Sequence, residues 1–139
     1  MTAETQQVQE MIERYVQSIG LTKEATFDEA SNTWQWQRGS APIEVFLADG
    51  GNNRYYICIY ANIMQVPANA NQADFYRYLL ELNFDKLGMR LCIKPKSSWI
   101  FAFYERDVKG MDYEELTTCI KDLEWWADKL DDELKGKFQ

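Results

Sequence analysis

Apolar positions open the chain at helical spacing. Val8, Met11, Ile12, Tyr15, Val16 and Ile19 share one face, Gln and Glu fill the other, and Gly20 follows as a stop. This predicts an amphipathic first helix over Glu4–Ile19. The period then falls to two. At Thr33–Arg38, Trp34 and Trp36 alternate with Thr33, Gln35 and Gln37. At Ile43–Leu47, Ile43, Val45 and Leu47 take one face, and Glu44 and Phe46 the other. Arg54–Met64 is apolar on both faces, as a central strand must be. Gly39-Ser40-Ala41-Pro42 and Asp49-Gly50-Gly51-Asn52-Asn53 read as the turns between them, so these three strands form an antiparallel meander.

Pro67 ends the third strand, and Asn71 can cap a second helix whose first turn holds Asp74. Met89–Lys94 alternates again, Pro95-Lys96-Ser97-Ser98 turns the chain, and Trp99–Tyr104 is another strand apolar on both sides. Asp112 and Glu115 stand as N-cap and N3 of a last helix, in capping-box arrangement, running to about Leu134 with Gly136 as its stop. The order α-β-β-β-α-β-β-α predicts an α+β fold: a five-stranded antiparallel sheet with helices packed on one side. The 139 residues suffice for one domain, 1–139, and not for two.

Three places carry more apolar surface than that fold consumes. In the second helix Ala73, Phe75, Tyr76, Tyr78, Leu79, Leu80 and Leu82 cover over half the circumference, leaving Asp74, Arg77 and Glu81 as a narrow polar arc. Either loops of the same chain cover the excess or the helix self-associates. In the last helix Leu116, Cys119, Ile120, Leu123, Ala127, Leu130 and Leu134 form the core stripe, and Trp125 points nearly opposite, among Lys121, Asp128, Lys129 and Asp132. The N-terminal region covers that indole or a partner does. On the sheet, Glu44, Arg90 and Lys94 mark an outer face, which by parity also carries Tyr56, Cys58 and Tyr60, and Trp99, Phe101 and Phe103, with Ile100 and Ala102 turned to the helices. A face aromatic at its centre and charged at its rim has the make-up of a binding patch. Exposed sheet edges offer a further mode, in which an extended segment joins as an extra strand.

Charge narrows the choice of partner. The net charge of −7 repels a phosphate backbone and no basic stripe offsets it, so no nucleic acid is expected. No apolar run approaches the roughly 20 residues that span a bilayer, and Met1–Glu10 lacks a signal-peptide core; a cytoplasmic protein that binds no membrane is expected. Cys58, Cys92 and Cys119 are scattered, with no C-x-x-C pair, and read as reduced thiols rather than a disulfide framework or a zinc site.

Catalytic chemistry is scarce. The chain has no histidine, so no Ser-His-Asp or Cys-His arrangement is possible. Asp49-Gly50-Gly51 has neither the spacing of a phosphate loop nor the pattern of a calcium loop, and Asp128, Asp131, Asp132 and Glu133 read as a solvated helix face. No catalytic residue, cofactor site or metal site is assigned, and the chain is not expected to be an enzyme. A small-molecule sensor would need a deep polar pocket, for which the loop Glu105–Met111 is the one candidate lid.

Val66-Pro67 leading into the second helix, Leu79-Leu80-Glu81-Leu82-Asn83 at its end and Asp112-Tyr113-Glu114-Glu115-Leu116 opening the last helix stand in an order and spacing that resemble a known group. With the element order, they make nearly the whole chain similar to the YbjN-type domain and to the related CesT-like chaperones of type III secretion. Within that group there is a general likeness to the carboxysome-assembly chaperones of cyanobacteria. The resemblance implies a homodimer, no catalysis, and apolar patches that hold a partly unfolded client segment, often by strand addition. It also implies that the second helix contributes to dimer packing. The expected client-binding residues are therefore Tyr56, Tyr60, Trp99, Phe101, Phe103 and Trp125, and the expected dimer interface is Phe75, Tyr78, Leu79 and Leu82. The expected function is a non-catalytic chaperone or assembly factor binding an extended client segment. The alternative is a regulatory interaction module that binds a folded partner, since YbjN-type proteins have also been called sensory-transduction regulators.

Overall fold

A computed structural model describes residues 2–68, 71–86 and 88–139. In chain order its elements are α1 (Ala3–Ser18), α2 (Lys23–Thr26), β1 (Phe27–Asp28), β2 (Thr33–Arg38), β3 (Ala41–Asp49), β4 (Tyr55–Gln65), α3 (Gln72–Asp85), β5 (Arg90–Ile93), β6 (Trp99–Asp107) and α4 (Tyr113–Phe138). The strands form one antiparallel sheet in the order β1-β2-β3-β4-β6-β5.

The α+β class is as expected, but the sheet has six strands among the described residues rather than five. The additional strand, β1, is two residues long, too short to display a period. It follows one turn of helix capped by Thr22, whose hydroxyl accepts the Ala25 N–H, and it forms because Phe27 pairs opposite Trp34 with ring centroids 4.7 Å apart.

The helix caps follow the local sequence. Thr2, Asn71 and Asp112 each accept the N–H three residues on, from Thr5, Asp74 and Glu115. The capping box at α4 is only half made, because the Glu115 side chain turns away to Arg106. Gly136 is also not a stop. The helix continues through it to Phe138, whose ring packs at 4.9 Å on Phe75 and 5.5 Å on Tyr78. Burying an aromatic ring outweighs the roughly 1 kcal/mol that a helical glycine costs.

The inner alternation of the strands builds the core. Trp34 and Trp36 of β2, Ile43 and Val45 of β3, Ile57, Ile59 and Ala61 of β4, and Ile100 and Ala102 of β6 are buried. They join the α4 stripe of Leu116, Ile120, Leu123, Ala127, Leu130 and Leu134 and the α1 stripe of Val8, Ile12 and Val16. A carboxylate ties this layer together. Glu124 of α4 accepts from the Tyr15 hydroxyl and, at 2.9 Å, from Trp36 Nε1, which ties both α1 and β2 to α4. Burial and the adjacent Glu124 push the Tyr15 phenol well above its usual range, so it stays a donor.

The two edges of the sheet differ. On β5 the side chain of Asn83 bonds to the main chain of Leu91. On β2, β1 pairs only with Thr33 and Trp34, and among the described residues no strand pairs with Gln35–Arg38 on that side.

Candidate functional site: the outer face of the sheet

Strand pairing decides which side chains share the face away from the helices. Glu44 lies opposite Tyr60, Tyr60 opposite Phe103, and Phe103 opposite Arg90, making one row across β3, β4, β6 and β5. The neighbouring rows run Phe46–Cys58–Glu105 and Asn62–Phe101–Cys92. Residues at these positions alternate with the buried core residues of the same strands, so they point outward.

The centre of the face is aromatic. Tyr60 meets Phe46 edge-on at 5.1 Å, Phe103 at 4.3 Å and Phe101 at 6.1 Å. Phe103 is 7% exposed, because the Arg90 guanidinium lies 4.2 Å above its ring while bonding Glu105 at 2.8 Å. Burial is the main reason the Tyr60 phenol is pushed up to about 12 and the Cys58 thiol to about 11, so both stay neutral and unreactive near pH 7. Two depressions of about 390 Å³ each adjoin the cluster. Gln35, Gln37, Pro42, Glu44, Tyr60 and Phe101 line one, and Glu44, Phe46, Tyr60, Ile93, Phe101 and Phe103 are among those lining the other.

Of the six residues expected to hold a client, Tyr60, Phe101 and Phe103 meet at this centre. Trp99 lies at the β6 end of the face, opposite Gln65 and 38% exposed. Tyr56 sits at the other end, half-buried beneath Arg54 at 5.5 Å. Trp125 is not part of the face. It is 54% exposed on α4, stacked edge-on against Trp126 at 4.5 Å with Lys129 Nζ 4.8 Å from its ring, and α4 lies on the opposite side of the sheet. Sequence reasoning left out Phe46 and Ile93, although Phe46 has the parity of Glu44 and Ile93 follows an outward Cys92 near the turn.

The residues expected at a dimer interface lie mostly on the inner side of α3. Phe75, Leu79 and Leu82 face the protein's own core, each less than a tenth exposed, and Tyr78 is half-buried against Phe138, so these four have little area to offer a second chain. The free side of α3 lies one residue on. Tyr76, Leu80 and Phe84 form a line at four-residue spacing, 39%, 69% and 90% exposed. The broad apolar arc is therefore two stripes, one buried and one bare.

No helix among the described residues is long and apolar enough to cross a membrane, and no group of three or more His, Cys, Asp or Glu there could hold a metal ion.

Solved structures share this architecture over nearly its whole length. The structure of the HopA1–SchA chaperone–effector complex matches with a TM-score of 0.65 at 11% identity, covering 90% of this chain and 93% of that one. YbjN from E. coli matches with a TM-score of 0.63 at 13% identity, covering 92% and 91%. The fold is that of YbjN and the secretion-type chaperones. The ExsC–ExsE complex gives a TM-score of 0.61 at 13% identity, covering 94% of this chain and 96% of that one. At such identities the likeness is one of fold, and the YbjN and secretion-chaperone fold does not by itself assign a role. No family model matches the sequence, and neither does any curated protein.

Proposed function

We propose that this chain is a non-catalytic chaperone or assembly factor that holds an extended segment of a client protein against the outer face of its sheet. The carrying observation is the aromatic cluster of Phe46, Tyr60, Phe101 and Phe103, left without a covering helix and flanked by the Arg90–Glu105 and Arg54–Asp107 pairs. A helix or strand of the same chain would normally bury such a row. Left open, it suits apolar side chains presented at every second residue of an extended chain. Support of a different kind comes from the shared fold with the HopA1–SchA chaperone–effector complex. The lack of histidine favours a binding role over acid–base chemistry. In this reading the chain works in the cytoplasm as a homodimer whose contact is the Tyr76–Leu80–Phe84 line rather than the buried residues beside it.

Site-specific photo-crosslinking in the source cell tests the reading. A photoreactive phenylalanine at Phe46 should crosslink to one short contiguous stretch of a client, and the same probe at Gln7, exposed on α1, should not. Phe101→Asp should remove the crosslink without changing the circular dichroism spectrum. Crosslinks spread over a folded partner's surface would favour a regulatory module instead. Equal yields from the two positions would rule out the outer face.

A further inference from the structure

The outer face bears three carboxylates: Glu44 on β3, and Glu105 and Asp107 on β6. Two are neutralised in place, Glu105 by Arg90 at 2.8 Å and Asp107 by Arg54 at 2.9 Å. Glu44 has no ion-pair partner and no side-chain hydrogen bond among the described residues. Its cross-strand neighbours, Gln35 and Tyr60, are uncharged. It is nevertheless half-buried, and it lines both depressions at once. A carboxylate partly withdrawn from water beside aromatic rings gives up solvation that a cation placed there would restore.

We propose that Glu44 selects the client segment by pairing with a Lys or Arg that lies between two apolar side chains. The inference rests on the reading that the outer face holds an extended segment. In such a segment every second side chain points the same way, about 6.6–6.8 Å apart. A basic residue over Glu44 thus leaves the residues two before and two after it to reach the two depressions, which Glu44 lines together with Tyr60, Asn62 and Phe101. The expected motif is apolar-x-basic-x-apolar. Arg should be preferred to Lys, because its planar group can bond the carboxylate while stacking on the rings of Phe46 and Tyr60. The overall charge of −7 favours approach of such a segment.

A displayed library of random dodecapeptides, selected in parallel on the intact wild-type protein, Glu44→Lys and Phe101→Asp, tests this. Wild-type selections should yield the motif, and Glu44→Lys should replace its basic residue with Asp or Glu. One synthetic wild-type binder should lose about tenfold in affinity on Glu44→Gln, the scale of one hydrogen bond to a charged group. Replacing its basic residue with norleucine should cost as much on the wild type and nothing further on Glu44→Gln. The same consensus on wild type and Glu44→Lys would overturn the role of Glu44 while leaving the aromatic face standing. The wild-type consensus persisting on Phe101→Asp, or no binder to the wild type at all, would overturn the face itself and Glu44 with it.

Discussion

Asn83 grips both main-chain polar groups of Leu91: the carboxamide oxygen accepts the Leu91 N–H at 2.6 Å, and the carboxamide nitrogen donates to the Leu91 carbonyl at 3.0 Å. A side chain of α3 thus offers the edge strand β5 what another strand would offer, so the sheet is closed to pairing at that point. Asn83→Ala should cost about 1–2 kcal/mol through the loss of two partly buried bonds. It should also raise self-association through β5. Urea denaturation and sedimentation velocity check the two effects separately, and unchanged stability would mean the bonds are solvent-equivalent.

Glu124 gives a second prediction. Glu124→Ala would leave the Tyr15 hydroxyl and Trp36 Nε1 buried without an acceptor. The expected loss is about 2–4 kcal/mol, the desolvation penalty of two orphaned donors. Glu124→Gln keeps an acceptor and should lose less. Adding Tyr15→Phe to Glu124→Ala should recover part of the loss, a coupling that a denaturant double-mutant cycle measures directly.

The two stripes of α3 make opposite predictions. Leu80→Glu with Phe84→Glu alters exposed positions, and the melting temperature should hardly move. If the bare stripe forms the dimer contact, light scattering should show monomer for this variant and dimer for the wild type. Leu79→Glu places a carboxylate in the core and should unfold the protein rather than dissociate it. A wild-type chain already monomeric at micromolar concentration would refute the dimer.

Acid should loosen the turn after β6. The Lys109 N–H, at 2.9 Å, and the Arg54 side chain hold the Asp107 carboxyl below its usual value. A group whose folded pKa is depressed contributes stability above its unfolded pKa, about 3.9 for Asp, and loses it as pH falls through the folded value. The urea midpoint of Asp107→Asn should therefore fall less between pH 6 and pH 3 than that of the wild type. Parallel curves would show that the clasp contributes nothing.

Much of the fold was legible because its periods are strong. Thr33–Arg38 is a strand with the bounds that Trp34 and Trp36 imply, and the Asn71 and Asp112 caps start their helices as read. β6 runs three residues past Tyr104, through Glu105 and Asp107, whose charges mask the alternation even though Glu105 is paired with Arg90 on β5 and Asp107 with Arg54 just before β4. The segment 21–32 shows no period at all, and its strand depends on one contact, Phe27 with Trp34, between residues that propensity cannot pair.

The outer face could be drawn from parity alone, because a strand has only two sides. Helix α3 could not be resolved that way. Its neighbouring stripes, Phe75–Leu79–Leu82 and Tyr76–Leu80–Phe84, are equally apolar, and contacts distant in sequence, Phe138 on Phe75 and β5 held by Asn83, decide which one turns inward. Likewise the pairing of two of the three outer carboxylates, which singles out Glu44, depends on arginines distant in sequence, Arg90 on β5 and Arg54 just before β4.

Helix α4 lies last in the chain, yet its stripe fills the middle of the core and its Asp131 receives the Ser40 hydroxyl at 2.8 Å across 91 positions of sequence. On the ribosome, every strand therefore emerges before the helix that shelters its inner side. The nascent chain spends that interval with the part of its sheet that α4 covers still wet, and a pause in translation before Tyr113 would hand cellular quality control a greasy, unfinished core.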